Sequence, residues 1–313
     1  MTTRTAYLSA EGYEDELKAE LDESFIAQYG RVFLADSQGP RKLQLLEPAW
    51  SVNSWLSPVE ITIRSIGDAA TQLRSKGKLW ALNSYQHHRR AQLIQDQLPK
   101  LKPMQIDFLA PCPVRELGSW TLLSENLVLA SAQCTSPFEN GMVAFHENKS
   151  APSRAYLKLW ELFTIYGVRP KPGERCLDLG ACPGGWTWVL ATLGCEVLAI
   201  DRSELDPKIM TMKGVTFRKG NALTLKPKDI GAIDWLFSDV ICYPEQLLGM
   251  IEAWVASGLC RNLVCTVKLK GKMDFEVCHK LAQIPGARLK HLTCNKHELT
   301  WWVCAATIPS EKT

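Results

Sequence analysis

Cys176-Leu177-Asp178-Leu179-Gly180-Ala181-Cys182-Pro183-Gly184-Gly185-Trp186 sets a glycine-rich turn between an apolar strand and a helix. In an alternating α/β sheet that junction is where a nucleotide lies, because small residues let a ligand approach the backbone. A dinucleotide fingerprint spaces its glycines G-x-G-x-x-G. Here Gly180 is followed by Gly184 and Gly185 with Pro183 intervening, which disfavours NAD and FAD. No Gly-Lys-Ser/Thr follows, so a P-loop is excluded. S-adenosylmethionine fits. Gly180 and Gly184 permit close approach, the loop amides are expected to meet the methionine portion, and Asp178 is expected to hold its charged end through neighbouring groups. Asp201 closes the next apolar run, Val197-Leu198-Ala199-Ile200, where a carboxylate can accept both ribose hydroxyls. Alone, Asp201 would read as a solvated turn residue; beside this loop it reads as a ligand. Asp239 and Lys268 also stand at the carboxyl ends of predicted adjacent strands, next to the same crevice.

Further motifs join these. Ser153-Arg154-Ala155-Tyr156-Leu157-Lys158-Leu159, the loop from Asp178 to Trp186, Ser238-Asp239, Val267-Lys268 and His297-Glu298 together resemble the FtsJ-type ribose 2′-O-methyltransferases. The likeness spans residues 153–304 and is nearest to the RlmM branch, which methylates a cytidine ribose of 23S ribosomal RNA. Tyr7 to Glu23 is similar to that branch's N-terminal segment, and residues 58–148 to its THUMP-like RNA-binding region in shortened form. The resemblance implies RNA as partner and S-adenosylmethionine as cofactor. It implies cofactor contacts from Asp178, Gly180, Ala181, Cys182, Pro183, Gly184, Gly185, Trp186, Asp201, Asn221 and Asp239, and a Lys-Asp-Lys-Glu tetrad at Lys158, Asp239, Lys268 and Glu298. Two positions depart from the family pattern: Asn221 stands where an aspartate often touches adenine, and Ala155 where a serine can occur.

A ribose 2′-hydroxyl is a poor nucleophile at neutral pH, so its methylation gains from a base or from cations that favour the alkoxide. Two lysines and two carboxylates can supply both. Lys268 is the expected base: the neighbouring Lys158 ammonium and partial burial would each lower its pKa, with Asp239 orienting it and Glu298 binding the second lysine and the ribose. Ordinary Lys–carboxylate bridges at a sheet rim would explain any one of these residues in isolation. Two other chemistries compete. Cys242, three residues after Asp239, or Cys265 could attack a pyrimidine ring for C5 methylation, although no proline precedes Cys242. Amino-group methylation usually carries Asn/Asp-Pro-Pro-aromatic, which Asp239-Val240-Ile241-Cys242 lacks. A non-catalytic RNA-binding or ribosome assembly factor on a methyltransferase fold is the alternative of another class.

Periodicity supplies the elements that position these residues. From Ser153 onward helix and strand alternate: helices at 154–166, 186–193, 245–259 and 274–283, strands at 175–179, 196–200, 215–219, 235–238, 262–268 and 300–305. That order is a doubly wound, Rossmann-like parallel sheet over residues 151–313. Residues 1–57 read as a small α/β domain, with strands at 5–10, 32–34 and 43–46 and a helix at 13–26 carrying Tyr13, Leu17, Leu21 and Phe25 at i, i+4 spacing. Residues 58–150 read as β-α-β-α-β-β, a ferredoxin-like, THUMP-like RNA-binding domain, with strands at 59–63 and 104–109, helices at 67–73 and 89–98, and a hairpin through Ser124-Glu125-Asn126. His87-His88-Arg89-Arg90, with nearby lysines, could face phosphates or merely solvent.

The chain has 313 residues, 36 Lys+Arg against 33 Asp+Glu and 46% hydrophobic content, which excludes disorder and collagen-like repetition. Charge is segregated: residues 1–47 carry five basic and nine acidic side chains (−4), 48–150 ten and eight (+2), and 151–313 twenty-one and sixteen (+5). That gradient is compatible with a polyanionic partner. No run reaches the ~18 apolar residues of a membrane span, and the N-terminus has no signal-peptide core, so a cytoplasmic location is expected. Eleven cysteines without a CxxC pair point to reduced thiols, with no metal expected. Of the eleven tryptophans, only exposed ones such as Trp55 or Trp160 could stack on a base.

Overall fold

The computed structural model describes residues 3–45, 47–269 and 274–304. The chain divides into two compact units, Met1–Ile106 with Pro111–Ala144, and Asp107–Ala110 with Phe145–Thr313.

Two sheets build the first unit. One is antiparallel, in the order β2-β3-β1-β4-β9, from β1 (Arg4–Ser9), β2 (Phe25–Tyr29), β3 (Val32–Asp36), β4 (Ser51–Leu56) and β9 (Gln133–Cys134), with helix α1 at Glu14–Leu21. Glu14, Asp15 and Glu16 fill the first turn of α1, where the helix dipole favours negative charge. The helix stops at Leu21 instead of reaching residue 26. Asp22 turns to φ 50, and the chain leaves as β2, whose Phe25 continued the helical spacing by coincidence. Residues 43–45 form no strand; Leu43 buries its side chain from a turn, and Leu46 lies outside the described residues. Instead β4 is a strand with buried Ser51, Asn53 and Ser54, polar residues that an apolar scan passes over. The burial is answered only in part: Ser51 Oγ donates to Asn53 O (3.0 Å) and Asn53 Oδ1 accepts from Ser136 N (3.0 Å), while Asn53 Nδ2 and Ser54 Oγ are buried without a hydrogen-bond partner among the described residues.

The second sheet, in the order β5-β8-β7-β6, uses β5 (Val59–Thr62), β6 (Leu79–Leu82), β7 (Leu117–Ser124) and β8 (Leu127–Ser131), with helices α2 (Ile66–Lys76) and α3 (His88–Gln95). The hairpin at residues 124–126 is present, and the element order is β-α-β-α-β-β, in a mixed sheet whose β6 and β7 run parallel. Ser65 caps α2 by accepting from Asp68 N. Its apolar face packs Ala70 and Leu73 with Trp80, Ile94 and Trp120 in one core. Residues 104–109 are not a strand; only Ile106 makes an isolated bridge.

In the second unit the alternation holds. α4 (Tyr156–Ile165), β10 (Arg175–Leu179), α5 (Gly185–Thr192), β11 (Glu196–Asp201), the short α6 (Pro207–Met210), β12 (Val215–Lys219), β13 (Trp235–Ser238), α7 (Pro244–Ser257), β14 (Asn262–Lys268), α8 (Phe275–Gln283), β15 (Arg288–Lys290) and β16 (Glu298–Val303) form a seven-stranded sheet. The order is β12-β11-β10-β13-β14-β16-β15. The first five strands are parallel, as expected of a Rossmann-like fold, and β10 and β13 are buried over nearly their whole length, as strands covered on both faces should be. The last two depart from the expected all-parallel sheet. β16 returns antiparallel to β14, pairing Lys268 with Glu298, and carries β15 antiparallel on its other side. It begins two residues earlier than predicted, and its expected end at Ala305 lies outside the described residues. Among the described residues no helix is long and apolar enough to cross a membrane.

Candidate active site

The glycine-rich loop leaves the carboxyl end of β10, and its conformation explains its composition. Gly180 has φ +75, and a Cβ there would meet Val240 Cα at 2.8 Å; Gly184 has φ +112, and a Cβ would meet Ile209 at 3.0 Å. Neither space nor backbone suits any other residue. The Cys182–Pro183 bond is cis. Contrary to expectation, the loop's first amides do not point into the crevice: Gly180 N and Ala181 N donate to Ile200 O (2.9 and 3.3 Å), and Cys182 N donates to Asp201 Oδ2 (3.0 Å). The loop crosses the end of β11, which takes those donors, and Asp201 thereby braces the loop.

A cleft of about 290 Å³ opens over the carboxyl ends of β10, β11, β12 and β13. Gly180, Cys182, Asp201, Asn221 and Asp239 line it. Asp178, Ala181 and Trp186 lie buried, and Pro183, Gly184 and Gly185 shape the turn without lining the cleft. Trp186 spends its Nε1 on Ala155 O (3.0 Å), tying α5 to the start of α4. Asn221 Oδ1 accepts from Leu223 N (3.2 Å), so the amide caps its own turn. Sequence reasoning missed Arg202, Val240, Ile241 and Leu223 on the lining; each directly follows a strand end or its turn, the position at which open α/β sheets bind ligands.

Asp178 deserves its burial only if something answers it. Its Oδ2 accepts from Thr187 Oγ1 (2.6 Å), while its Oδ1 is buried with no hydrogen-bond partner among the described residues. Burial pushes its carboxyl up to about 7, with Asp239 and Asp201 adding to the rise against the Thr187 hydrogen bond. A cationic group would reverse that penalty.

Lys158, Asp239, Lys268 and Glu298 meet in a closed ring of alternating charge. Lys158 Nζ lies 3.0 and 2.9 Å from the two Asp239 oxygens and 2.7 Å from Glu298 Oε1. Lys268 Nζ lies 2.5 Å from Asp239 Oδ1 and also bonds Glu298 Oε2. Strand geometry makes the ring: Asp239 directly follows β13, Lys268 ends the adjacent parallel β14, and Glu298 opens antiparallel β16 opposite Lys268. Lys158 reaches in from α4. A fifth residue completes it, since Thr266, two residues before Lys268 on the same face of β14, donates to Asp239 Oδ1 (2.6 Å). That i, i+2 spacing was its only sequence signal.

The ring corrects one expectation about charge. Burial does act to lower the Lys268 pKa, but Asp239 and Glu298 outweigh it, and the ammonium is held above its ordinary value. Asp239 moves the opposite way: burial raises its carboxyl, and the two lysines bring it below the usual range. Lys158 faces Lys268 across the two carboxylates, whose attraction prevails.

One turn beyond Lys158 on α4, buried Glu161 accepts from Thr293 N (2.9 Å) and Thr293 Oγ1 (3.4 Å). Burial pushes it up to about 8 against those bonds and Lys290. A raised carboxyl pKa means the folded state keeps a proton that the unfolded chain has released; the associated stability is full below the ordinary value and is lost as pH climbs through the folded one. Unfolding of Glu161→Gln, followed by circular dichroism, should therefore show a stability advantage over the parent that grows from pH 5 to pH 9, reaching on the order of 3 kcal/mol. A constant difference across that range would refute the charge state.

The cysteine alternatives lose ground. Cys265 is fully buried and its thiol is pushed well above its ordinary value by burial and by Cys242 and Cys260, the reverse of an activated nucleophile. Cys242 is also buried. Trp55 and Trp160 are core residues at 0% and 6% exposure, and Trp160 stacks on Phe108 at 4.8 Å, so neither offers a face to a base.

Residues 151–284 match the FtsJ-like methyltransferase family. The chain is 30% identical over 192 residues to a ribosomal RNA large subunit methyltransferase M of Marinobacter nauticus, covering 56% of this chain and 53% of that one. It is 32% identical over 184 residues to the protein of that name in Thauera aminoaromatica, covering 54% and 50%. The matched region thus spans about half the length of these curated relatives. Among solved structures, a Plasmodium falciparum protein described as a ribosomal RNA methyltransferase aligns at a TM-score of 0.38 and 21% identity, over 49% of this chain and 96% of that one.

Proposed function

We propose that this chain, which carries an FtsJ-like methyltransferase domain over residues 151–284, transfers a methyl group from S-adenosylmethionine to a ribose 2′-hydroxyl in large-subunit ribosomal RNA, at a cytidine of 23S, in the cytoplasm. The carrying observation is the Lys158–Asp239–Lys268–Glu298 ring, set at the carboxyl edge of β13 and β14 with Asp239 shared between it and the cleft. The substrate follows from the relatives' shared name and the family motifs. Residues 1–57 and 58–150 are read as the parts that present RNA, the second as a THUMP-like domain.

The cleft's chemistry suits the cofactor. Beneath the lining, Asp178 Oδ1, buried and without a hydrogen-bond partner among the described residues, favours positive charge above it; on the lining itself, Asp201 at the end of β11 suits ribose hydroxyls and the Asn221 amide can read an adenine edge. The bound cofactor supplies an electrophilic methyl on a sulfonium. Lys268, held as an ammonium, directs an N–H at the incoming 2′-oxygen and stabilises the charge that develops there; Lys158 does the same from α4. Asp239, locked by Lys158, Lys268 and Thr266, fixes the direction of both lysines. As the oxygen becomes acidic, its proton passes into the ring, where the carboxylates are the acceptors.

Incubation of the chain with tritiated S-adenosylmethionine and unmodified 23S transcript should label one nucleotide, with mass spectrometry placing the methyl on the ribose. Label on a pyrimidine ring would instead support the cysteine chemistry, and cofactor binding without transfer to any RNA would support the assembly-factor reading. Asp201→Ala should weaken cofactor binding about 10- to 100-fold by calorimetry, the worth of a charged hydrogen-bond acceptor. An unchanged affinity would remove Asp201 from the site.

A further inference from the structure

Among the described large apolar side chains of the second unit, the two most exposed are Ile241 at 78% and Tyr243 at 55%. They belong to the loop between Asp239 and α7, where exposure alternates: Ile241 and Tyr243 face outward while Cys242 and Pro244 turn inward. Alternation of that kind is the signature of extended chain and sets both side chains on one side. The loop is fixed at both ends, by Asp239 in the ring and by α7, where Tyr243 N donates to Gln246 Oε1 (3.3 Å). Ile241 also lines the cofactor cleft beside Asp239 and Val240. An exposed apolar pair continuous with a reaction site marks a binding surface.

We propose that Ile241 and Tyr243 form the platform that receives the nucleobase of the acceptor nucleotide, an inference that rests on the RNA methyltransferase reading. The chemistry of the pair selects the base over the backbone. Neither side chain carries a charge to hold a phosphate, and the lining beside them is mixed, with Arg202 against Asp201 and with Asp239 already paired to two lysines, whereas a base with a π-face stacks on a phenol ring. Seating the base there brings its own ribose towards Asp239 and Lys268. Trp55 and Trp160, buried in their cores, cannot serve in this way.

The test uses the full chain, unmodified 23S transcript and tritiated S-adenosylmethionine. Tyr243→Ala should lower kcat/KM for RNA about 10- to 100-fold, the range for losing one base–aromatic stack, with cofactor affinity by calorimetry unchanged within twofold. Tyr243→Phe, which keeps the ring, should recover most of the loss, and Ile241→Ser should raise KM for RNA. The platform is overturned if Tyr243→Ala matches the parent on RNA, if Phe is as impaired as Ala, or if the only change is in self-association by sedimentation. Those results leave the enzyme reading intact, since the parent still methylates RNA; absence of transfer by the parent itself would take down both.

Discussion

Replacing Lys268 with methionine should lower the rate of methyl transfer by about 10³-fold, within the range for losing a group that handles the proton or stabilises charge in the transition state. Methionine keeps the unbranched stem but removes the charge that Asp239 and Glu298 share. Lys158 then faces two carboxylates alone, so the variant should also unfold about 3 kcal/mol more easily, the usual cost of breaking a buried pair. Cofactor affinity should stay within about threefold, because Lys268 does not line the cleft. Tritium transfer under single-turnover conditions, calorimetry with S-adenosylmethionine and chemical denaturation measure the three separately. Retention of more than a tenth of the parental rate, with the fold intact, would remove Lys268 from the chemistry.

Gly180→Ala tests the other half of the site. The added Cβ enters a backbone region that disfavours L side chains and arrives 2.8 Å from Val240 Cα, so either the loop or the strand β13 exit must move. Overpacking against backbone costs about 1–3 kcal/mol, and the displaced loop would carry Cys182 and its bond to Asp201 with it. Cofactor affinity should fall at least about 30-fold, the equivalent of roughly 2 kcal/mol. Binding within threefold of the parent would show that the loop's close approach to Val240 has no bearing on the ligand.

The parallel half of the sheet was legible because its strands are short apolar runs bounded by turn residues, and β12, β13 and β14 begin and end at the residues their patterns predict. Direction was not legible. β16 has the same apolar character whichever way it runs, and only its pairing with β14 reveals the reversal. Brief or polar elements escaped for local reasons: β15 is Arg-Leu-Lys, α6 is a single turn, and β4 hides behind serines and an asparagine. Residues 43–45 and 104–109 are apolar without a neighbouring strand to pair with over their length, and periodicity cannot supply one.

The site divides in the same way. Residue identities at the ring and in the loop came from motifs, and the structure brings Lys158, Asp239, Lys268 and Glu298 within bonding distance. The charge state of Lys268 depends on which partners stand nearest. Sequence reasoning placed an ammonium next to it, whereas the fold interposes two carboxylates. Donor direction is equally non-local, since the amides at Gly180 and Ala181 serve Ile200, nineteen or more residues away.

Because β16 slots between β14 and β15 instead of adding at a margin, the sheet stays incomplete until this strand, the last of the described elements in sequence, has emerged. A nascent polypeptide that has emerged only as far as α8 already holds the loop, Asp239 and Lys268, yet lacks the carboxylate that closes the circuit. Domains generally fold as they leave the ribosome, first part first. The ring of alternating charge therefore closes last, when β16 slots in and sets Glu298 opposite Lys268.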